Sequence, residues 1–165
     1  MTVERLNAAH QIDSFRCGNQ ELDSWLHSAA LTADRAGTAR VYLWLAQSRI
    51  LGYFALLPHQ VRRSDVPPGI GRGAPDSIPG YLLARLAVAE DLRGQGRGGE
   101  LLALAIEKIL DAIALGGGRI IVVDAIDHAA AGFYQHHGFK AAPAIPARLI
   151  MKASTAAASV GTSWP

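Results

Sequence analysis

The sequence predicts an α/β or α+β domain, a mixed central β-sheet flanked by helices. Three observations lead there. Apolar runs at residues 41–46, 50–57, 81–88 and 120–124 have the length of strands, and segments with apolar residues at helical spacing lie between them. A glycine-dense turn, Arg93-Gly94-Gln95-Gly96-Arg97-Gly98-Gly99, joins one of those strands to the start of a helical pattern. Half of the 165 residues are apolar, enough for a core that needs no disulfide or metal staple.

The elements follow in order. Asn19 can cap a helix carrying Leu22, Trp25, Leu26, Ala29 and Ala33 on one face, with Gly37 ending it. The runs at 41–46 and 50–57 read as a hairpin closed by a short polar turn. Residues 58–80 carry five prolines and four glycines and read as one long loop. After the strand at 81–88 and the glycine turn, Leu101, Leu102, Ala105, Ile106, Ile109, Leu110 and Ile113 form the buried face of a helix that ends at Gly116. A buried strand at 120–124, a short helix at 129–137 stopped by Gly138, and a last strand at 148–152 complete the pattern. Residues 1–152 are expected to form one domain. The Ala/Ser/Thr/Gly-rich segment 153–165 reads as a flexible tail.

Composition narrows the setting. No uninterrupted apolar run of 18 residues exists and the first residues lack an apolar signal core, so a cytoplasmic protein without membrane association is expected. The single cysteine, Cys17, agrees with that compartment and reads as a small packed residue. The six histidines show no metal-ligand spacing, and no metal site is expected. The net charge is only +2, yet residues 35–97 hold nine arginines against four acids. Such asymmetry permits a polyanionic partner.

The glycine turn carries the chemistry. Glycines let the backbone bring its N–H groups close to a ligand, and the helix start behind them adds unpaired donors and a positive dipole end. Phosphate or pyrophosphate suits such a turn. A nucleotide P-loop is excluded, because no lysine occurs before Lys108 and no Ser or Thr follows the glycines. A dinucleotide fingerprint is present in letters as Gly94, Gly96 and Gly99, with Asp124 as a possible ribose acid. However, five residues separate strand from first glycine, and Asp124 lies 30 residues beyond Gly94 rather than about 20.

Arg93-x-x-Gly96-x-Gly98 resembles instead the R/Q-x-x-G-x-G/A acyl-CoA loop of the GNAT acyltransferase superfamily. Asp127-x-x-Ala130-x-x-Phe133-Tyr134-x-x-x-Gly138-Phe139 resembles a second element of that superfamily, in the expected order. The resemblance implies the GNAT fold, a mixed sheet splayed around a central acyl-CoA site, with acetyl-CoA as cosubstrate. It assigns Arg93, Gly94, Gln95, Gly96, Arg97, Gly98 and Gly99 to the pyrophosphate, with Asp127 in the same cofactor site. It assigns the backbone of Leu86, Ala87 and Val88 to pantetheine. Tyr134 matches the tyrosine that protonates the departing thiolate. No strong base lies on the strand before the loop; Glu90 follows just beyond Val88. An α-amino group, with a pKa near 7.7–8.0, needs a base far less than a lysine near 10.4.

A narrower resemblance covers nearly the whole chain. Phe15-x-Cys17-Gly18-x-x-x-Leu22-Asp23-x-Trp25-Leu26, Gly52-Tyr53-Phe54-Ala55-Leu56 and Pro79-x-x-Leu82-Leu83-x-Arg85-Leu86-Ala87-Val88 are similar to GNAT toxins of bacterial toxin–antitoxin modules. Ala84 departs from the glycine usual there. That family implies acetylation of the α-amino group of aminoacyl-tRNA, blocked translation, a ribbon-helix-helix antitoxin and a homodimer. Arg62 and Arg63, then Arg40 and Arg85, are the candidates for tRNA phosphates. The competing readings are a GNAT enzyme acting on a small amine or a protein N-terminus and, further off, a non-catalytic CoA- or dinucleotide-binding module.

Overall fold

A computed structural model describes residues 1–164. Its strands are β1 (Thr2–Arg5), β2 (Arg40–Ala46), β3 (Arg49–Arg62), β4 (Ser77–Val88), β5 (Ile120–Asp124), β6 (Lys140–Ala141) and β7 (Arg148–Lys152). The helices are α1 (Gln20–Ser28), α2 (Ala30–Ala36), α3 (Pro68–Gly71), α4 (Arg97–Gly116), α5 (His128–His136) and α6 (Ala153–Ser159), with 3-10 turns at Arg63–Asp65 and Glu90–Leu92. The strands hydrogen-bond in the order β1-β2-β3-β4-β5-β7-β6. The sheet is mixed: β4 and β5 run parallel, whereas β1–β2, β2–β3, β5–β7 and β6–β7 are antiparallel.

The chain divides into two compact units. One comprises residues 1–57 and 84–105. Its core gathers Leu6, Phe15, Leu26, Val41, Leu43 and Tyr53. Tyr53 is fully buried, with Phe15 edge-on at 5.7 Å and Trp25 stacked at 6.2 Å. Its hydroxyl donates to the Leu22 carbonyl at 2.7 Å, so a large apolar ring is buried without stranding its polar tip. Asn19 caps α1 by accepting from the Leu22 N–H at 3.0 Å. Buried Asp34 accepts from Arg5 at 2.7 Å and from the Val41 N–H at 3.0 Å, joining β1, α2 and β2. Burial pushes its carboxyl pKa up, but the Arg5 and Val41 hydrogen bonds with the Arg5 and Arg40 charges outweigh it and hold the value below the ordinary one.

The other unit comprises residues 58–83 and the chain from Ile106 onward. Val61, Ile78, Ile120, Val122 and Ile150 lie at its centre. β4 pairs with β5 from Gly80 opposite Ile120 to Leu83 opposite Val123, and β5 pairs with β7 along its whole length.

Several elements differ from the sequence reading, among them the short helix α3 and strand β6, neither of which was expected. β1 was not expected; its four residues are largely exposed and show no apolar pattern. The helix expected from Asn19 to Gly37 breaks at Ala29, whose φ of −126° leaves the helical range. The expected loop at 58–80 is shorter, because β3 runs on to Arg62 and β4 begins at Ser77. Pro58 and Pro79 lie inside those strands, and proline breaks a strand only where its missing N–H is needed. Finally, the expected flexible tail starts too early. α6 buries Ala153, Ala156 and Ala157, a three-and-four spacing that puts small side chains on one helix face.

Candidate active site

Strand β4 leads into the glycine turn. Its pairing with β5 stops at Leu83, yet the strand continues to Val88. The Ala89 N–H donates to Leu51 O at 2.8 Å, which fixes the end of β4 on its β3 side. Residues 84–88 therefore extend past their last β5 partner, and backbone donors and acceptors left in this way suit an extended, amide-bearing arm. Leu86 and Val88 are half-buried on this stretch, and Ala87 is buried.

The 3-10 turn Glu90–Leu92 leads into the glycine turn. Gly94 and Gly96 have φ of +74° and +73°, the left-handed region in which a side chain is strained. A Cβ built on either would meet no atom within 4 Å, so the space beside both is open. α4 begins at Arg97, which places Gly98 and Gly99 in its first turn, where N–H groups lack helical acceptors. The fit to a pyrophosphate thus rests on backbone donors and the helix dipole.

The side chains of the turn point back to the protein. Arg93 donates to Cys17 O at 2.6 Å, Gln95 to Asp91 O at 3.3 Å, and Arg97 pairs with Glu100 at 2.9 Å. Cys17 is buried, and burial pushes its thiol up to about 11, which removes thiolate character at neutral pH. Glu90 is exposed, and its N–H donates to Arg16 O at 2.8 Å.

Tyr134 lies on α5 in the other unit and is 8% exposed. Phe133 and Phe139 meet its ring edge-on at 5.2 and 5.5 Å. Burial raises its hydroxyl pKa, so the proton stays in place at physiological pH. Asp127 caps α5, accepting from the Ala130 N–H at 2.8 Å. Its carboxylate therefore serves the helix that carries Tyr134.

The four arginines singled out for a polyanion have different surroundings. Arg62 is exposed at the end of β3. Arg63 donates to Ala74 O at 2.8 Å and to Asp76 at 2.7 Å. Arg40 donates to Asp34 O at 2.7 Å, at the end of α2. The Arg85 guanidinium lies 4.4 Å from the centroid of the Trp25 ring, with Glu21 at 4.0 Å. Sequence reasoning missed this stack and the Arg93–Cys17 contact, because both partners lie far apart in the chain. Among the described residues no group of three or more His, Cys, Asp and Glu could hold a metal ion, and no helix is long and apolar enough to cross a membrane.

This combination of a strand outrunning its partner and a left-handed glycine turn opening a helix suits the pantetheine arm and pyrophosphate of an acyl-CoA, as in acyl-CoA-dependent transferases. Residues 37–141 match the family model described as acetyltransferase (GNAT) domain. A protein of Mycobacterium tuberculosis (strain ATCC 25618 / H37Rv) named tRNA-acetylating toxin is 34% identical over 157 residues, covering 95% of each chain. AtaT complexed with acetyl-methionyl-tRNAfMet superposes with a TM-score of 0.85 at 26% identity, covering 93% of this chain and 95% of that one. A Tyr-to-Phe mutant of AtaT bound to acetyl-CoA and the C-terminus of the antitoxin AtaR gives 0.80 at 26% identity, covering 95% and 96%. The chain belongs to the GNAT acetyltransferase family.

Proposed function

We propose that this chain is an acetyl-CoA-dependent N-acetyltransferase toxin that acetylates the α-amino group of aminoacyl-tRNA and thereby stops translation. One observation carries the reaction class: β4 runs five residues past its last β5 pair and leads into the glycine turn. The acceptor rests on the relatives, one named tRNA-acetylating toxin and one solved with acetyl-methionyl-tRNAfMet.

Acetyl-CoA supplies an acetyl group activated as a thioester. The backbone of Leu86, Ala87 and Val88 pairs with the pantetheine arm, and the N–H groups from Gly94 to Gly99 face the pyrophosphate. Asp127 caps α5, the helix that carries Tyr134. As the C–N bond forms and the C–S bond breaks, Tyr134 delivers its proton to the departing sulfur and is reprotonated from solvent. About half of an α-amine is already neutral near pH 8, so solvent suffices to take its proton and no side-chain base is required. Arg62 contributes directly to tRNA phosphate binding, and Arg63, Arg85 and Arg40 are further candidates for phosphate contacts.

The same reading makes the protein a cytoplasmic homodimer, silenced by an antitoxin of the ribbon-helix-helix type. The AtaT structure with the antitoxin AtaR supports the antitoxin part. In vitro translation with the purified protein tests the whole. Protein synthesis is expected to stop only when acetyl-CoA is supplied, and inhibition without acetyl-CoA would refute the proposed activity.

A further inference from the structure

We propose that the Arg93 side chain is a positioning element rather than a phosphate ligand, fastening the glycine turn to the Cys17–Gly18 turn so that its N–H groups are held in place. The inference rests on the reading that residues 93–99 receive the CoA pyrophosphate. Arg93 begins an exposed turn, yet its guanidinium reaches back 76 residues to donate to Cys17 O at 2.6 Å. A hydrogen bond this short from a charged donor is among the stronger kinds. The guanidinium also covers the Cα of Gly18. A Cβ there would overlap Nη2 and come within 2.9 Å of Cζ and 3.3 Å of Nη1. Gly18 has a φ of +88°, so its conformation calls for glycine, and a side chain there would displace the Arg93 guanidinium.

The receiving turn is rigid. The Cys17 N–H donates to the buried Asp23 carboxylate at 2.9 Å, and Asn19, one residue past Gly18, caps α1. A second bond, from the Glu90 N–H to Arg16 O at 2.8 Å, ties the same two segments. Residues 16–18 and 90–93 are thus closed together by one backbone bond and one side-chain bond. The side-chain bond sits where the glycine turn begins. Fixed placement of donors before binding lowers the ordering cost on association, which is how an anchor raises affinity without touching the ligand. The arrangement also explains why a Cys-Gly pair so far from the glycine turn belongs with it.

A double-mutant cycle on the full chain separates anchor from ligand, using Gly18→Ala, Arg93→Ala and the pair, with CoA affinity read by calorimetry and folding by thermal melts. Arg93→Ala is expected to weaken CoA binding by roughly tenfold, the order set by one hydrogen bond to a charged group. KM for acetyl-CoA should rise more than kcat falls, and Arg93→Lys should restore only part of the affinity, because an ammonium lacks the flat fork that covers Gly18. Gly18→Ala should weaken CoA binding in the wild-type background but not in the Arg93→Ala background, where nothing remains to be displaced. The backbone strain at residue 18 should lower the melting temperature in both. Wild-type CoA affinity in Gly18→Ala, or losses that simply add in the double mutant, would overturn the anchor. No CoA binding by the wild-type protein would overturn the site reading itself, and the anchor with it.

Discussion

Arg63 is held by Asp76: its guanidinium donates to the carboxylate at 2.7 Å and to the Ala74 carbonyl at 2.8 Å, closing the segment between β3 and β4. Its neighbour Arg62 is exposed. Two adjacent arginines that look alike in sequence therefore separate in role. Arg62→Ala should weaken use of charged tRNA and lower the slope of log affinity against log salt by roughly one, the loss of one phosphate contact. Arg63→Ala should chiefly loosen the 63–76 segment, which hydrogen exchange there would detect. Acetylation assays across a salt series check the pair. Equal salt slopes in wild type and Arg62→Ala would remove Arg62 from the interface.

Tyr134→Phe should leave CoA affinity nearly intact, since the ring packing against Phe133 and Phe139 needs no hydroxyl. Turnover should fall by roughly 10²–10⁴-fold, the range for a lost general acid. Single-turnover rates at saturating acetyl-CoA check this, and near-normal turnover would move the proton donor elsewhere.

The pH dependence follows from the two protons in play. The acceptor amine must be neutral, so kcat/KM should rise with pH through about 7.7–8.0 and level off about one unit higher. Tyr134 must be protonated, and burial raises its pKa, so no descending limb should appear in the ordinary tyrosine range around pH 10. A descending limb there that vanished in Tyr134→Phe would contradict the burial argument.

Cys17 predicts a stability effect instead. Its thiol is pushed from 9.0 to about 11, first by burial and then by its contact with Asp23. A folded-state pKa above the unfolded value means that the contribution is whole below pH 9 and is lost as pH rises to about 11. Thermal melts between these limits should show a shallower decline for Cys17→Ala than for wild type. Tyr53 and Tyr134 are shifted the same way by burial, so their share of the alkaline loss falls at still higher pH. Parallel declines in wild type and Cys17→Ala would rule out the thiol as a contributor.

The parts of the fold legible in the sequence were those with strong periodicity: the apolar face of α4, the four-residue buried run of β5, and the cap at Asn19. The glycine turn was legible too, because left-handed backbone at Gly94 and Gly96 demands glycine. What stayed hidden depends on tertiary neighbours. β1 acquires its identity only by pairing with β2, and α6 only by burying alanines whose composition reads as polar tail. Within the site, sequence spacing grouped Arg93 and Arg97 as phosphate ligands. Both side chains have protein partners in the structure, since one donates to the Cys17 carbonyl and the other pairs with Glu100. The Gly18 position was the one sequence signal of that contact, and its meaning emerges only when residue 93 is folded onto it.

The acceptor proposed for this chain is the α-amine of aminoacyl-tRNA. The most direct measurement incubates the purified protein with acetyl-CoA and a charged tRNA pool, digests the RNA, and weighs the aminoacyl-nucleosides by mass spectrometry. Species heavier by one acetyl group on the aminoacyl moiety are expected, absent without acetyl-CoA and reduced in Tyr134→Phe. An unmodified pool, alongside acetylation of small amines or protein N-termini by the same preparation, would contradict it.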